Sequence, residues 1–318
     1  MNHRATNLSD KSMNYFYRIF FSFGITSVLI VLLLTAKAQA AIAIAPMSAT
    51  ELFKMGVEET RSNNYEQAIE DFTQAIELNS NFAAAYSNRC LVYIQLGDYA
   101  KAVNDCTASV QLNPNNTEAY LNRGLAYFRL GNYQAAVSEY SQMIERNSND
   151  FRAYYNRGLA RFERKDYEGA IADYEQALSK SHRSSAPLLA DVYNDRGLAH
   201  LMLENVPGAI ADFSQAISLD DSNHRAFYNR ACACHRFGDY RGAIRDFTLA
   251  LQLNPNHAEG YLNRGLIHHT LGLQQAALSD LKTASKCFDE QGNTAAYKQT
   301  LALIERLQKL ISNEDAIA

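Results

Sequence analysis

Three observations predict an all-α solenoid. The sequence has a 34-residue period, each period holds two helical periodicities, and small residues recur where two helix backbones must approach. The segment Thr117 to Asp150 carries all three. Its Asn122-Arg123-Gly124 returns as Asn156-Arg157-Gly158 and Asn263-Arg264-Gly265, and as Asn229-Arg230-Ala231 with alanine for glycine. A fixed period is read before any local feature, because a helix pair cannot bury its apolar face alone and must stack on its neighbours.

Seven units follow in order: 49–82, 83–116, 117–150, 151–184, 190–223, 224–257 and 258–291. Apolar residues recur at three- and four-residue intervals over positions 4–14 and again over 17–30 of each unit. That spacing predicts two helices joined by a tight turn, as at Leu96-Gly97-Asp98-Tyr99. Position 4 is large (Leu52, Tyr86, Tyr120, Tyr154, Tyr193, Phe227, Tyr261) and position 8 small (Gly56, Cys90, Gly124, Gly158, Gly197, Ala231, Gly265). Position 17 is aromatic in five units, with Val206 and Gln274 departing, and position 20 is always alanine. The small residues let the helices of a unit close together, and the ring at position 4 is expected to fill the space beside them.

This pattern resembles the tetratricopeptide repeat, over nearly all of 49–291. The resemblance implies a right-handed solenoid whose first helices line a concave face. The insertion 185–189, with Pro187 favouring a break, is expected to lengthen a loop or a helix without ending the array. Residues 292–318 read as a C-terminal cap. One helix is expected over about Thr294 to Ile311, with Tyr297, Leu301, Ile304, Leu307 and Leu310 on one side.

Residues 1–40 are of a different kind. Arg4, Lys11 and Arg18 precede an apolar run over 19–35, and Ala36, Ala38 and Ala40 follow with A-x-A spacing. This is the pattern of a secretory signal peptide, or of an uncleaved anchor that would bring residues 19–35 into a membrane. Either reading puts the repeats outside the cytoplasm, after a linker over 41–48. The GNTxxY wording of the cap resembles the ends of repeat proteins common in cyanobacteria, which would make that outside a periplasm or thylakoid lumen.

A charged pattern runs through the array. Position 7 is Arg89, Arg123, Arg157, Arg196, Arg230 and Arg264, but Met55 in the first unit. Position 23 is always acidic, from Asp71 through Asp280. Because arginine is missing only where no unit precedes, each arginine is expected to pair with position 23 of the unit before it. Pairing inside a unit is the alternative.

Enzyme chemistry is not expected. The sequence holds no phosphate loop, zinc-protease helix or nucleophile elbow. The histidines at position 12 of adjacent units stand a helix pair apart, too far for one metal ion, and are read as solvated or groove-lining. No cofactor and no metal are expected. A formal net charge of −4 gives no support to nucleic-acid binding. Five cysteines make no disulfide framework, although Cys90 and Cys106, at positions 8 and 24 of one unit, are the pair best placed to bond.

The resemblance implies a protein or peptide held on the concave face. Its positions 2, 5, 9, 12 and 13 supply Leu125, Phe128, Arg129, Arg152, Tyr155, Phe162, Arg225, Tyr228 and Arg236. The position-6 asparagines Asn122, Asn156, Asn229 and Asn263, which also belong to the family's general pattern, could bond an extended backbone. The lysine and asparagine that hold a C-terminal carboxylate in the family's chaperone-binding members are missing from their positions. An extended or amphipathic segment is therefore expected. Much of this apolar surface could also pack between units, and a self-associating structural array is the rival reading.

Overall fold

The computed structural model describes residues 47–181 and 186–315, with side chains to 312. The leader and most of its linker lie outside these residues. Among the described residues, no helix is long and apolar enough to cross a membrane.

The architecture is an all-α solenoid of seven helix–turn–helix units and one last helix. The first helices of the units are α1 (Ala49–Arg61), α3 (Ala83–Gln95), α5 (Thr117–Arg129), α7 (Phe151–Glu163), α9 (Ala186–Met202), α11 (His224–Phe237) and α13 (Ala258–Thr270). The second helices are α2 (Tyr65–Leu78), α4 (Tyr99–Leu112), α6 (Tyr133–Arg146), α8 (Tyr167–Lys180), α10 (Val206–Leu219), α12 (Tyr240–Leu253) and α14 (Gln274–Glu290). The cap is α15 (Thr294–Asp315). From α1 to α11 each first helix also packs on the next first helix, whereas second helices make no comparable contact with one another. The first helices therefore crowd the inner side, which gives the array its concave face.

The turn inside each unit needs a left-handed residue at position 15. Gly97, Gly131, Gly238 and Gly272 take φ of 75–88° there, while Asn63, Lys165 and Glu204 are forced to 60–63°. Position 16 then starts the second helix. Asp98, Asn132, Asp166, Asn205 and Asp239 each accept a backbone N–H three residues on, which satisfies a donor that the helix leaves open.

The close approach at position 8 is real, but the ring that fills it comes from position 24. A Cβ on Gly56, Gly124, Gly158 or Gly197 would meet Phe72, Tyr140, Tyr174 or Phe213 at 2.6–2.7 Å. Position 4 points the other way. Tyr120 packs with Met143 and with Ala153 of the next unit, and Tyr154 with Ala177 and Val192. In the second unit both partners change together: Cys90 and Cys106 occupy positions 8 and 24 and are joined as a disulfide, with Cα atoms 5.5 Å apart.

Two expectations need correction. Pro187 does not break the chain, because α9 starts at Ala186 and Pro187 lies in its first turn, where a missing N–H costs no helical bond. Residues 186–189 thus lengthen a first helix to 17 residues against the usual 13. In the cap, the buried side is Thr300, Ile304 and Leu307, whereas Leu301 and Leu310 are exposed. The helix is rotated from the expected stripe because Ile304 and Leu307 must reach Ala277 and Leu281 of the last unit.

Candidate functional site: the concave face

The arginine ladder fixes how the concave face is built. Arg89 Nε and Nη2 donate to Asp105 Oδ2 and Oδ1 at 2.7 and 2.8 Å. Arg157 meets Asp173 in the same way, as do Arg196 and Asp212, Arg230 and Asp246, and Arg264 and Asp280, while Arg123 Nε and Nη2 both donate to Glu139 Oε2 at 3.0 and 2.7 Å. Every pair lies inside one unit, which corrects the expectation of pairing with the preceding one. Positions 7 and 23 face each other across the antiparallel helices of a single hairpin.

What crosses to the preceding unit is the remaining arm of the guanidinium. Nη1 of Arg89, Arg123, Arg157, Arg230 and Arg264 donates to the hydroxyl at position 25 of the unit before: Thr73, Thr107, Ser141, Ser214 and Thr248, at 2.8–3.2 Å. Arg196 has no such bond, since Glu175 takes that place. Each guanidinium also lies 5.3–5.8 Å from the ring at position 4 of its own helix. The Asp105 hydrogen bond holds Arg89 above the ordinary arginine range, against the opposing effect of burial. Geometry of this kind fixes orientation as much as it adds net stability.

The first unit has no such clasp. Asp71 is 2% exposed, accepts from Gln67 Nε2 at 3.1 Å, and leaves Oδ2 without a partner among the described residues where Met55 replaces arginine.

Histidines partly join this ladder. His268 Nδ1 lies 3.0 Å from Asp280, and His200 Nε2 lies 3.8 Å from Asp212, so both face a carboxylate and not open solvent. His235 and His269 are exposed as expected. Among the described residues no cluster of three or more histidine, cysteine, aspartate or glutamate side chains could hold a metal ion.

The residues expected in the groove separate into two groups. Asn122, Leu125, Phe128 and Arg129 stand on α5. Asn122 makes no side-chain hydrogen bond among the described residues and lines a hollow of about 400 Å³ with Ala84, Ser87, Asn88, Leu91, Asn116 and Glu118. Phe128 and Phe162 lie edge-on to Tyr133 and Tyr167 of their own units. Arg129 and Arg236 are exposed, although Arg236 Nη1 lies 3.5 Å from the Leu201 carbonyl.

The others are already engaged, most of them between units. Arg152 bridges Glu118 of the unit before and Asp150. Asn156 donates to the Arg152 carbonyl one turn earlier. Asn229 donates to Asn194 Oδ1 at 2.8 Å, and Asn263 to the Tyr228 hydroxyl at 3.0 Å. Tyr228 also lies across the His257 ring, 4.6 Å between centroids.

Tyr155 donates to Asp195 Oδ2 at 2.8 Å, and Arg225 approaches Asp195 Oδ1 at 3.8 Å. Asp195 itself was not singled out by the sequence reading. Its signal was there, as the only carboxylate in a column of asparagines at position 6 from the second unit to the seventh. At the far end, Leu266, His269, Leu281, Leu303, Arg306, Leu307 and Leu310 line a second hollow of about 350 Å³ against the cap.

Profiles described as tetratricopeptide repeat match residues 121–187, 90–150 and 224–257, and one described as TPR repeat matches 56–97. Together they span more than half of the sequence. The chain belongs to the tetratricopeptide-repeat family. Its repeats make a non-catalytic scaffold for contacts with proteins or peptides.

Solved structures agree on the fold. A tetratricopeptide repeat protein from Parabacteroides merdae is 20% identical, with a TM-score of 0.61 over 80% of this chain and 98% of its own. YrrB, described as a TPR protein with an unusual peptide-binding site, is 20% identical with a TM-score of 0.50, over 62% of this chain and 97% of its own. A chain of the APC/C hetero-tetramer Cut9-Hcn1 is 20% identical with a TM-score of 0.55 over 68% of this chain, which spans 42% of that longer one. No curated protein matches the sequence.

Proposed function

We propose that the concave face holds an extended segment of another protein, with α3, α5 and α7 supplying its first contacts. The observation that carries this reading is the hollow between α3 and α5, where the Asn122 side chain has no partner and leucine and asparagine stand side by side. Such a surface suits a backbone whose amides meet asparagine while its apolar side chains enter the hollow. Leu125, Phe128, Arg129, Arg152, Asn156 and Phe162 extend that track, and Tyr155, Arg225, Tyr228, Asn229, Arg236 and Asn263 continue it toward the cap. YrrB's description as peptide-binding supports this reading by likeness of fold. From the leader pattern over 1–40 and the family resemblance we infer a role outside the cytoplasm, in assembly or maintenance of an envelope or photosynthetic-membrane complex.

The test is a pull-down from envelope fractions with the intact array, with Asn122→Asp plus Leu125→Glu, and with Gln74→Lys on the second helix of the first unit. Folding is checked by circular dichroism and melting. One partner held by the intact and Gln74→Lys arrays, and lost from the groove variant, supports the proposal. Equal capture by all three moves the contact off the groove. Recovery of the array alone favours the self-associating structure.

A further inference from the structure

We propose that the groove floor where α7 and α9 meet is a cation-recognising subsite, centred on Asp195, that takes a lysine or arginine side chain of the bound segment. This rests on the groove reading above and names the chemistry of one position within it.

Asp195 is unlike the carboxylates that the arginine ladder clasps. From the second unit on, each acid at position 23 receives at least two hydrogen bonds from its own arginine at 2.6–3.0 Å. Asp195, whose side chain is 14% exposed, receives the Tyr155 hydroxyl at 2.8 Å and the Asn194 amide only at 3.3 Å. Its nearest guanidinium, that of Arg225, stops at 3.8 Å and is 59% exposed, too solvated to neutralise it strongly. Asp191, one turn earlier on α9, adds a second negative charge to the same site. Two carboxylates thus face one loosely held cation.

A second, separate observation points the same way. The Tyr174 side chain is fully buried, and its hydroxyl has no hydrogen-bond partner among the described residues. Its ring stands 6.1 Å from that of Tyr155, and its ionisation is opposed first by burial and next by the charge of Asp195. Buried hydroxyls are rarely left unpartnered. An ammonium or guanidinium reaching Asp195 from the groove would donate to it and lie beside the Tyr155 ring, and a turn of the Tyr174 side chain would let its phenol accept as well. Burial also holds Asp195 above the ordinary carboxylate range, the state of an acid that still lacks a full counter-charge. The substitution that makes the site is a small one. Neighbouring units carry neutral asparagine at this position, so the charge belongs to this one place in the groove.

The experiment offers the intact array a library of twelve-residue peptides with lysine, norleucine or glutamate fixed at the centre, and reads enrichment by mass spectrometry. Lysine-centred peptides should be enriched over norleucine about tenfold, the effect of one charge-assisted hydrogen bond. Asp195→Asn, which copies the neighbouring units and so keeps the fold, should abolish that preference. Asp221→Asn, an exposed change outside the groove, should keep it. Peptide binding with no lysine preference, or with one that survives in Asp195→Asn, overturns the subsite and leaves the groove reading standing. Absence of any enriched peptide overturns both.

Discussion

The first unit and the six that follow share a backbone and differ in how they treat one buried carboxylate. In the six, an arginine clasps the acid of its own unit, lies on its own aromatic ring, and, except at Arg196, reaches back to the neighbour's hydroxyl. In the first, Met55 leaves Asp71 half-satisfied. The difference teaches that the arginine serves the joint as well as the hairpin. Where no unit precedes, no hydroxyl is there to receive the third arm, and the unit still folds without it.

The comparison can be broken from either side. Arg123→Met would give an inner unit the makeup of the first. It strands Glu139 in the core and removes the bond to Thr107, and should cost about 3–5 kcal/mol in a denaturant titration. A loss below about 1 kcal/mol would mean that the ladder is ornamental.

Gly158→Ala sets the fourth unit against the sixth, which already carries Ala231 opposite Phe247. Its Cβ would stand 2.6 Å from the Tyr174 ring, so a destabilisation of about 1–3 kcal/mol is expected by thermal melting. A neutral result would show that the fourth unit can shift its ring as the sixth does.

Met55→Arg is the converse change, offering Asp71 Oδ2 a donor. Stability should rise by about 1.5 kcal/mol, read as a higher denaturant midpoint with unchanged slope.

The smallest effect separates the last two units. Asn223 caps α11, whereas α13 is capped by His257, whose Nδ1 accepts the Gly260 N–H at 3.0 Å. Burial holds His257 below the ordinary histidine range, opposed by Glu259 and reinforced by His224. The unfolded chain therefore takes up the proton first. The contribution is intact above the ordinary histidine pKa and is lost as pH falls below it. Between pH of about 7 and 5 the last unit should lose about 1 kcal/mol, seen by hydrogen exchange, and His257→Asn should remove that dependence.

The fold was legible because a period multiplies its own evidence. Seven alanines at position 20 and a small residue at every position 8 locate the helix contacts without any one unit being decisive. The same period hid the partner of each arginine. When every unit from the second on carries both residues, a contact sixteen residues ahead and one eighteen residues behind leave the same trace in the sequence. Only the hairpin's geometry separates them.

The site was less legible for a related reason. Asparagine at position 6 reads as one repeated function, yet Asn156, Asn229 and Asn263 find three different acceptors, and Asn122 finds none. Asp195 is hidden by the same regularity, because from the second unit on it is the one exception in a column of asparagines. In the cap, Leu301 and Leu310 matched an apolar stripe, but contact with Ala277 and Leu281 set the rotation of the helix.

Pairing within the unit has a consequence for how such a chain can change length. Each pair of the buried ladder is closed inside its own repeat, and the ladder sends only a neutral hydroxyl contact across the seam. The ion pairs that do cross, among them Arg152 with Glu118 and Arg225 with Asp195, involve half-exposed arginines of the groove. A duplicated repeat arrives with its ladder charges already matched, and a deleted one takes both ladder partners with it. Had the pairs crossed the seams, every gain or loss would have stranded a buried charge at a cost of several kcal/mol. Electrostatic self-sufficiency of the repeat leaves its number free to vary in descent.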